Sequence, residues 1–260
     1  MEAQEAVPKM PIIFIGHGSP MNATADNRFT RSLRQLALDI PRPKAIVVIS
    51  AHWVRSGMRV TAGERPRTIH DFVGFPQDLY EVEYPAPGSA DLVARIVELT
   101  GAYADDEWGF DHGSWAVIRH MYPDADIPMV EFDLDMNGSP VEHAAAGRLL
   151  APLRDEGVLI VGSGNIVHNL QMVRWEPDAE PYEWATEFDE WVRARLLAND
   201  ETALIAFEEF GYLARTAHPT REHYLPLIYV NSLRLPGEKV SFFHEGIEMG
   251  SISMRGVRIG

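Results

Sequence analysis

The sequence has 260 residues, 46% of them hydrophobic, and a formal net charge of −15. Such an acidic chain argues against nucleic acid as a partner, because phosphate binding relies on clustered Lys and Arg. No apolar run approaches the ~20 residues of a membrane span, the N-terminus lacks the features of a signal peptide, and the absence of cysteine leaves only His and carboxylates for a metal.

Short β-branched runs alternate with amphipathic segments over the first two thirds of the chain. The spacing predicts a strand at 12–15, a helix over 27–40 and a second strand at 45–50. A further helix is predicted over 89–100, where a serine precedes the first turn and a glycine follows the last. This alternation is typical of parallel strands that are joined by helical crossovers.

The alternation continues with a strand at 127–134, one helix over 141–157 and a strand at 158–163. A longer helix is predicted over 182–200. Its aromatic and apolar residues recur near one helical face, which indicates packing against the core rather than a binding surface. That stripe consists of Trp184, Phe188, Trp191 and Leu196.

The C-terminal segment changes character and resembles two antiparallel strands, at 239–246 and 251–259, with a turn near 248–250. These strands are expected to extend one edge of the sheet. We therefore predict an α/β fold with one domain over residues 1–260. It has a mostly parallel central sheet flanked by helices and antiparallel C-terminal strands.

Histidines stand where the predicted parallel strands end. His17 follows the first strand, His52 follows the second, and His168 lies in a glycine-rich turn after the strand at 158–163. Ligands of open α/β sheets bind at the carboxyl ends of strands, and imidazole is a common metal ligand. The pattern indicates a metal centre; the alternative is that each histidine only caps its strand.

Two of these positions allow more than one interpretation. The GSGNIV sequence before His168 is not a dinucleotide loop, since Val167 replaces the third glycine of that motif. His168 is either a metal ligand, an acid or base beside the metal, or a residue that caps a helix. His223 is the ligand candidate in REHYLP, where Glu222 is the other candidate or simply complements a helix N-terminus.

His112, in WGFDHGSW, resembles a residue of a pocket loop, with an exposed DHG turn as the alternative. His70, in TIHDFVGFP, has aromatic neighbours of the same kind. Both loops are candidates to close over an aromatic substrate. The other histidines have no comparable context and are expected at the surface or in packing; they are His120, His143, His218 and His244.

Taken together, the motifs resemble those of the 4,5-DOPA extradiol dioxygenase family, which belongs to the class III extradiol ring-cleaving enzymes. The likeness runs in order from residue 11 to the C-terminus. It rests on GHGSPM, SAHW, TIHDFVGFP, YPAPGS, WGFDHGSW, MYPDADIP, SGNIVHNL, EHYLPL and GIEMGSISM. The resemblance implies insertion of both atoms of O₂ into a catechol ring. With L-DOPA, the product would be 4,5-seco-DOPA.

The resemblance also implies roles for individual residues. His17, His52 and His223 match the family's metal ligands, while His168 matches a histidine beside the metal that can also count as a fourth ligand. His112 matches a histidine that hydrogen-bonds the bound oxygen or hydroxyl. His168 would take the second hydroxyl proton of the catechol and return it later.

One divalent metal ion is expected. Better-known class III enzymes complete the site with a carboxylate, whereas this chain offers His223. An all-imidazole set suits Zn²⁺, so zinc is expected in the isolated protein and Fe²⁺ for ring cleavage. The competing hypotheses are a zinc-dependent hydrolase and a non-catalytic, Memo-like binding protein. We expect a soluble, cytoplasmic monomer or small homo-oligomer that binds a small catechol and O₂.

Overall fold

The computed structural model describes residues 8–176 and 178–260. The sequence prediction that the N-terminus is not a signal peptide falls largely on residues 1–7, outside the described residues. Within the described ranges, no helix has the length and apolarity to cross a bilayer. The strands there are β1 (Ile12–Gly16), β2 (Ala45–Arg55), β3 (Arg59–Thr61), β4 (Tyr103–Asp105), β5 (Met129–Asp135), β6 (Val158–Gly164), β7 (Val240–His244), β8 (Ile247–Glu248), β9 (Ile252–Ser253) and β10 (Gly256–Ile259).

Helices cover both faces of the sheet. In chain order they are α1 (Arg28–Asp39), α2 (Ala90–Thr100), α3 (His112–Met121), α4 (Pro140–Leu149), α5 (Pro152–Asp155), α6 (Glu183–Ala198), α7 (Glu201–Ile205), α8 (Tyr212–Ala217) and α9 (Leu225–Ser232). The predicted serine cap and terminal glycine of α2 are confirmed, since the Ser89 side chain accepts from the N–H of Leu92 and Gly101 has a left-handed backbone.

The main sheet has the strand order β4-β3-β5-β2-β6-β1-β10-β7. Its centre, β5-β2-β6-β1, is parallel throughout, and β10 and β7 add antiparallel pairs beyond β1. The predicted α/β class, the mostly parallel sheet and the antiparallel C-terminal strands are therefore confirmed. The order also places β6 between β1 and β2, although β6 comes last of the three in sequence.

The central strands are mostly apolar on both faces because helices cover the sheet on each side. Along β1, Ile12 and Phe14 enter one core cluster, while Ile13 and Ile15 enter the other. The predicted aromatic stripe of α6 belongs to the first cluster, with Phe188 fully buried and Trp184 packed against it. Because both faces of these strands are buried, each strand appears in the sequence as a short run of β-branched and other apolar residues.

The structure differs from the sequence prediction at three elements. The helix predicted over 141–157 is two helices, α4 and α5, because Pro152 lacks the N–H that a continuous helix requires. The strand predicted to end at residue 50 continues to Arg55 through an irregularity between Ile49 and Val54. The C-terminal strand predicted over 251–259 is divided into β9 and β10, and β9 pairs with the additional short strand β8 in a hairpin.

Asp133 on β5 is a buried carboxyl whose charge opposes folding. Its Oδ1 accepts a 2.7 Å hydrogen bond from the N–H of Arg59, while its Oδ2 has no partner among the described residues. Burial raises the pKa of Asp133 to about 8, against 3.8 for an exposed aspartate. The folded state therefore favours the protonated acid, and this group's contribution to stability falls as pH rises from about 4 to 8.

We expect Asp133→Asn to be more stable than the parent chain above pH 8, by on the order of 2 kcal/mol, because the amide keeps the Oδ1 acceptor and removes the buried charge. The gain should shrink steadily toward pH 4. Thermal unfolding across that pH range measures it, with the exposed Asp106→Asn as the matched control. Identical pH slopes for Asp133→Asn and the parent chain would contradict the assignment.

Candidate metal centre and substrate cavity

The central strands bring two predicted histidines to one edge of the sheet. β1 ends at Gly16, so His17 is the first residue beyond it, and Gly16 pairs with Gly164 of β6. On the other side of β6, Ser50 is the last residue of β2 paired with it, opposite Ser163. His52 lies just beyond that pairing, within the irregular part of β2 rather than after its end. Both histidines thus flank the carboxyl end of β6, as expected for a ligand site.

A serine on β6 fixes the tautomer of His17. Nδ1 of His17 lies 3.0 Å from Oγ of Ser163, and the Ser163 hydroxyl donates to the carbonyl of Gly113 at 2.5 Å. Since the hydroxyl proton is used, Oγ must accept from His17 Nδ1–H. The lone pair of His17 is therefore on Nε2, which lies 3.2 Å from Nε2 of His52.

Asp71 orients two further imidazoles. Its Oδ2 lies 3.2 Å from Nδ1 of His52 and 2.9 Å from Nδ1 of His112, and its Oδ1 accepts from the N–H of His112 at 2.9 Å. Burial alone would raise the pKa of Asp71, but its bonds with His112 and its attraction to His52 lower it to about 2. A carboxylate behind each ring directs Nε2 of both histidines away from Asp71, an arrangement common around metal-binding imidazoles.

His223 approaches from the loop before α9. A Cβ at Gly164 would lie 2.1 Å from the carbonyl oxygen of His223, so only glycine allows the loop to pack this closely. Nδ1 of His223 donates to Oε1 of Glu222 at 3.2 Å. Its Nε2 is buried and finds no hydrogen-bond partner among the described residues. A buried nitrogen in this state is a candidate to bind a metal.

His168 completes the cluster by stacking. Its ring lies 3.5 Å from that of His223, centroid to centroid, with only 6° between the two planes. Its backbone N–H donates to the carbonyl of Ala217, which fixes the loop. Burial lowers the pKa of His168 to about 3, and repulsion from His218 and His112 acts in the same direction. The imidazole is therefore neutral near pH 7 and can accept a proton.

The closest group of ligand atoms differs from the predicted set. Ring nitrogens of His17, His52 and His112 all lie within 4.8 Å of one another, which makes these three a candidate metal site. The ring centroid of His223 is 5.4 Å from that of His17 and 5.0 Å from that of His52. His168 lies on His223. The predicted ligand role of His223 and His168 therefore stays a prediction.

The imidazoles of this centre are in the form that binds metals. Burial lowers the pKa of His17, His52 and His223 well below the ordinary value, and the neighbouring imidazoles lower it further. Neutral histidine keeps a lone pair on one nitrogen, whereas the protonated ring has none. This donor set fits a divalent metal ion, which would stabilise the otherwise costly contact between several lone pairs.

A cavity of about 540 Å³ opens in front of the histidines. We call it the substrate cavity. Phe72 and Phe75 line it, their rings 5.2 Å apart, and Phe72 also meets the ring of His112 edge-on at 5.6 Å. Trp175 lines it too, although 80% of its surface is exposed, so this indole lies at the mouth. The aromatic walls suit a flat aromatic ring.

One of the two loop predictions changes in the structure, although His112 does line the substrate cavity as a pocket residue. His112 is not in a loop but is the first residue of α3, with Asp111 before it as the N-cap residue, and it is buried. His70 lies in the loop whose neighbours line the cavity, while its own ring bonds the carbonyl of Val82. His143, His218 and His244 are buried and His120 is half-buried, in agreement with packing roles.

Several site residues were not predicted from the sequence: Asp71, Ser163, Phe75 and Trp175. Asp71 could have been suspected, because it follows His70 in a motif already selected for its loop character. Ser163 ends an apolar run and carries no such signal.

Comparisons with known proteins agree with this geometry. A family model described as the catalytic LigB subunit of aromatic ring-opening dioxygenase matches residues 7–248. The 4,5-DOPA dioxygenase extradiol of Escherichia coli (strain K12) is 51% identical over 97% of this chain and 95% of its own length. The protein of that name from Beta vulgaris is 35% identical over 92% of each chain. The crystal structure of an uncharacterized Escherichia coli K12 protein superposes with a TM-score of 0.85, at 47% identity, over 96% of this chain and 100% of its own.

Proposed function

The chain belongs to the LigB family of aromatic ring-opening dioxygenases, and from this membership we propose that it cleaves L-DOPA or a related small catechol to a ring-opened semialdehyde. It is an extradiol dioxygenase, whose substrates are a catechol and O₂. For L-DOPA the proposed cleavage is between C4 and C5, giving 4,5-seco-DOPA. The observation that best supports the assignment is the set of neutral imidazoles whose Nδ1 atoms are held by Ser163, Asp71 and Glu222.

We propose that His17, His52 and His223 hold the divalent metal through Nε2. Two observations favour this set: the 3.2 Å separation of the His17 and His52 Nε2 atoms, and the buried, unpartnered Nε2 of His223. When bound, a redox-active metal supplies open positions for the catechol oxygens and O₂ and passes electrons between them. Because Zn²⁺ has no redox chemistry, Fe²⁺ is the proposed metal for ring cleavage, even where zinc occupies the isolated protein.

The neutral His168 is the proposed acid and base. It takes the proton of the second catechol hydroxyl on its free nitrogen lone pair and returns that proton when the ring opens. Nε2 of His112 is the proposed acceptor of a hydrogen bond from a catechol hydroxyl, since its Nδ1–H is used on Asp71. Phe72 and Phe75 orient the ring and exclude water.

Product analysis tests the proposed substrate. We expect the Fe²⁺-loaded protein to convert L-DOPA in air to a yellow product whose mass exceeds that of L-DOPA by one O₂. NMR of the product distinguishes 4,5-cleavage from cleavage on the other side of the hydroxyls. The zinc-loaded protein is the control. Conversion of other small catechols but not of L-DOPA would support the proposed ring cleavage and reject L-DOPA as the substrate.

A further inference from the structure

The charged side chains that line the substrate cavity are all acidic, the histidines aside. Among the described residues that line it there is no Lys or Arg, whereas two carboxylates, Asp71 and Glu222, do line it. A cavity with walls of one sign concentrates ligands of the other sign and disfavours ligands of its own. The side chain carried by the catechol therefore meets an anionic wall.

Of the two carboxylates, Glu222 is the one able to meet a substrate. Both carboxylate oxygens of Asp71 are already in contact with His52 and His112. Glu222 receives bonds from the hydroxyl of Thr220 at 2.8 Å and from Nδ1 of His223 at 3.2 Å, and both go to Oε1. Oε2 is not used in either bond. The Glu222 side chain is 29% exposed, so it is partly shielded from water but open to the cavity.

Nearby arginines do not offset this charge in the substrate cavity. Arg215 and Arg221 line a separate cavity, of about 610 Å³. The residues that it shares with the substrate cavity are Pro219, Thr220 and Glu222. Arg174 lies over the ring of Tyr182, 4.0 Å from its centroid, and donates to the carbonyl of Glu180. A carboxylate on the substrate thus finds no cationic side chain on the described walls of the substrate cavity.

We propose that the substrate cavity selects catechols whose side chain carries an ammonium group, with Glu222 as the residue that pairs with it. Catechols with a carboxylate and no amine are disfavoured. The zwitterion of L-DOPA is accepted through its ammonium, and its carboxylate remains in solvent at the mouth. This inference rests on the proposed function only for the statement that the cavity binds a catechol.

A charge series of matched catechols tests the selection. The three ligands are dopamine, 4-(2-hydroxyethyl)catechol and 3,4-dihydroxyphenylacetate, which carry positive, neutral and negative side chains of similar size. Calorimetric titration of the Fe²⁺-loaded protein without oxygen gives their Kd values. We expect dopamine to bind about tenfold more tightly than the neutral ligand and the acetate about tenfold more weakly, as for one partly shielded ion pair.

The substitution Glu222→Gln tests the negative charge of Glu222 separately from its hydrogen bond with His223. The amide oxygen still accepts from His223 Nδ1, and the ratio between dopamine and the neutral ligand cancels any change at the metal centre. We expect the ratio of the two Kd values to fall to about twofold or less in Glu222→Gln. The control is Glu208→Gln, which removes a charge from the neighbouring cavity only and should leave the ratio unchanged.

Equal Kd values for the three ligands, or an unchanged ratio in Glu222→Gln, would overturn the inference. Turnover of the same ligands in air is measured separately. The predicted order of Kd without any turnover would support the charge selection and reject the proposed reaction, so the two failures are distinguishable.

Discussion

His17→Ala and His52→Ala are each expected to leave the protein without its metal and without dioxygenase activity. The two Nε2 atoms lie 3.2 Å apart, with each Nδ1 fixed by Ser163 or Asp71, so neither ring can turn to replace the other. Removing one of three ligands leaves an incomplete coordination shell. We expect turnover to fall by about a thousandfold or more, because the reaction depends on the metal.

Metal content per chain after desalting is the measurement, made on protein reloaded with Fe²⁺ without oxygen. His143→Gln is the control, since His143 is buried beside Tyr229 and outside the substrate cavity. Two further variants decide which histidine is the third ligand. We expect His223→Ala to lose the metal and His112→Ala to keep it. Full occupancy in His17→Ala or His52→Ala would reject the ligand assignment.

His168→Ala is expected to lower kcat by about 100-fold to 10,000-fold, the usual contribution of a general acid or base. Substrate Kd should change by less than about threefold, because the stack against His223 lets the ring be removed without moving its neighbour's Nδ1 bond to Glu222. Anaerobic titration gives Kd, and single turnover in air gives the rate.

Two other results are informative for His168. Unchanged turnover would remove this residue from the mechanism. Loss of metal together with turnover would instead make it the fourth ligand that the family resemblance allows. Metal content is therefore measured on the same samples, and His168→Gln, which keeps a polar side chain on the stack, separates the loss of the imidazole from the loss of packing.

The fold was predictable where burial produces a pattern. Strands β1, β2, β5 and β6 are covered on both faces, so they appear in the sequence as short apolar runs. Strands β3 and β4 have three residues each, too few for any periodicity, and were not predicted. The break before Pro152 was missed because the apolar pattern continues across it, whereas the backbone hydrogen bonds do not.

The candidate site was predictable only in part. His17 and His52 follow apolar runs, and parallel strands bring such positions to one edge of the sheet. The contacts of Asp71 with His52 and His112 join a loop to a strand and a helix that are distant in sequence, so spacing alone could not reveal them. The stack of His168 on His223 depends on the path of two loops, which no periodic pattern encodes.

Oxygen uptake tests the central claim most directly. Metal-stripped protein is reloaded anaerobically with Fe²⁺ or with Zn²⁺ and mixed with L-DOPA and simple catechols in air-saturated buffer. We predict rapid uptake with iron, one O₂ for each ring opened, and none above background with zinc. No uptake from a site that retains iron would contradict the account and favour hydrolysis by a zinc-bound water or a binding role.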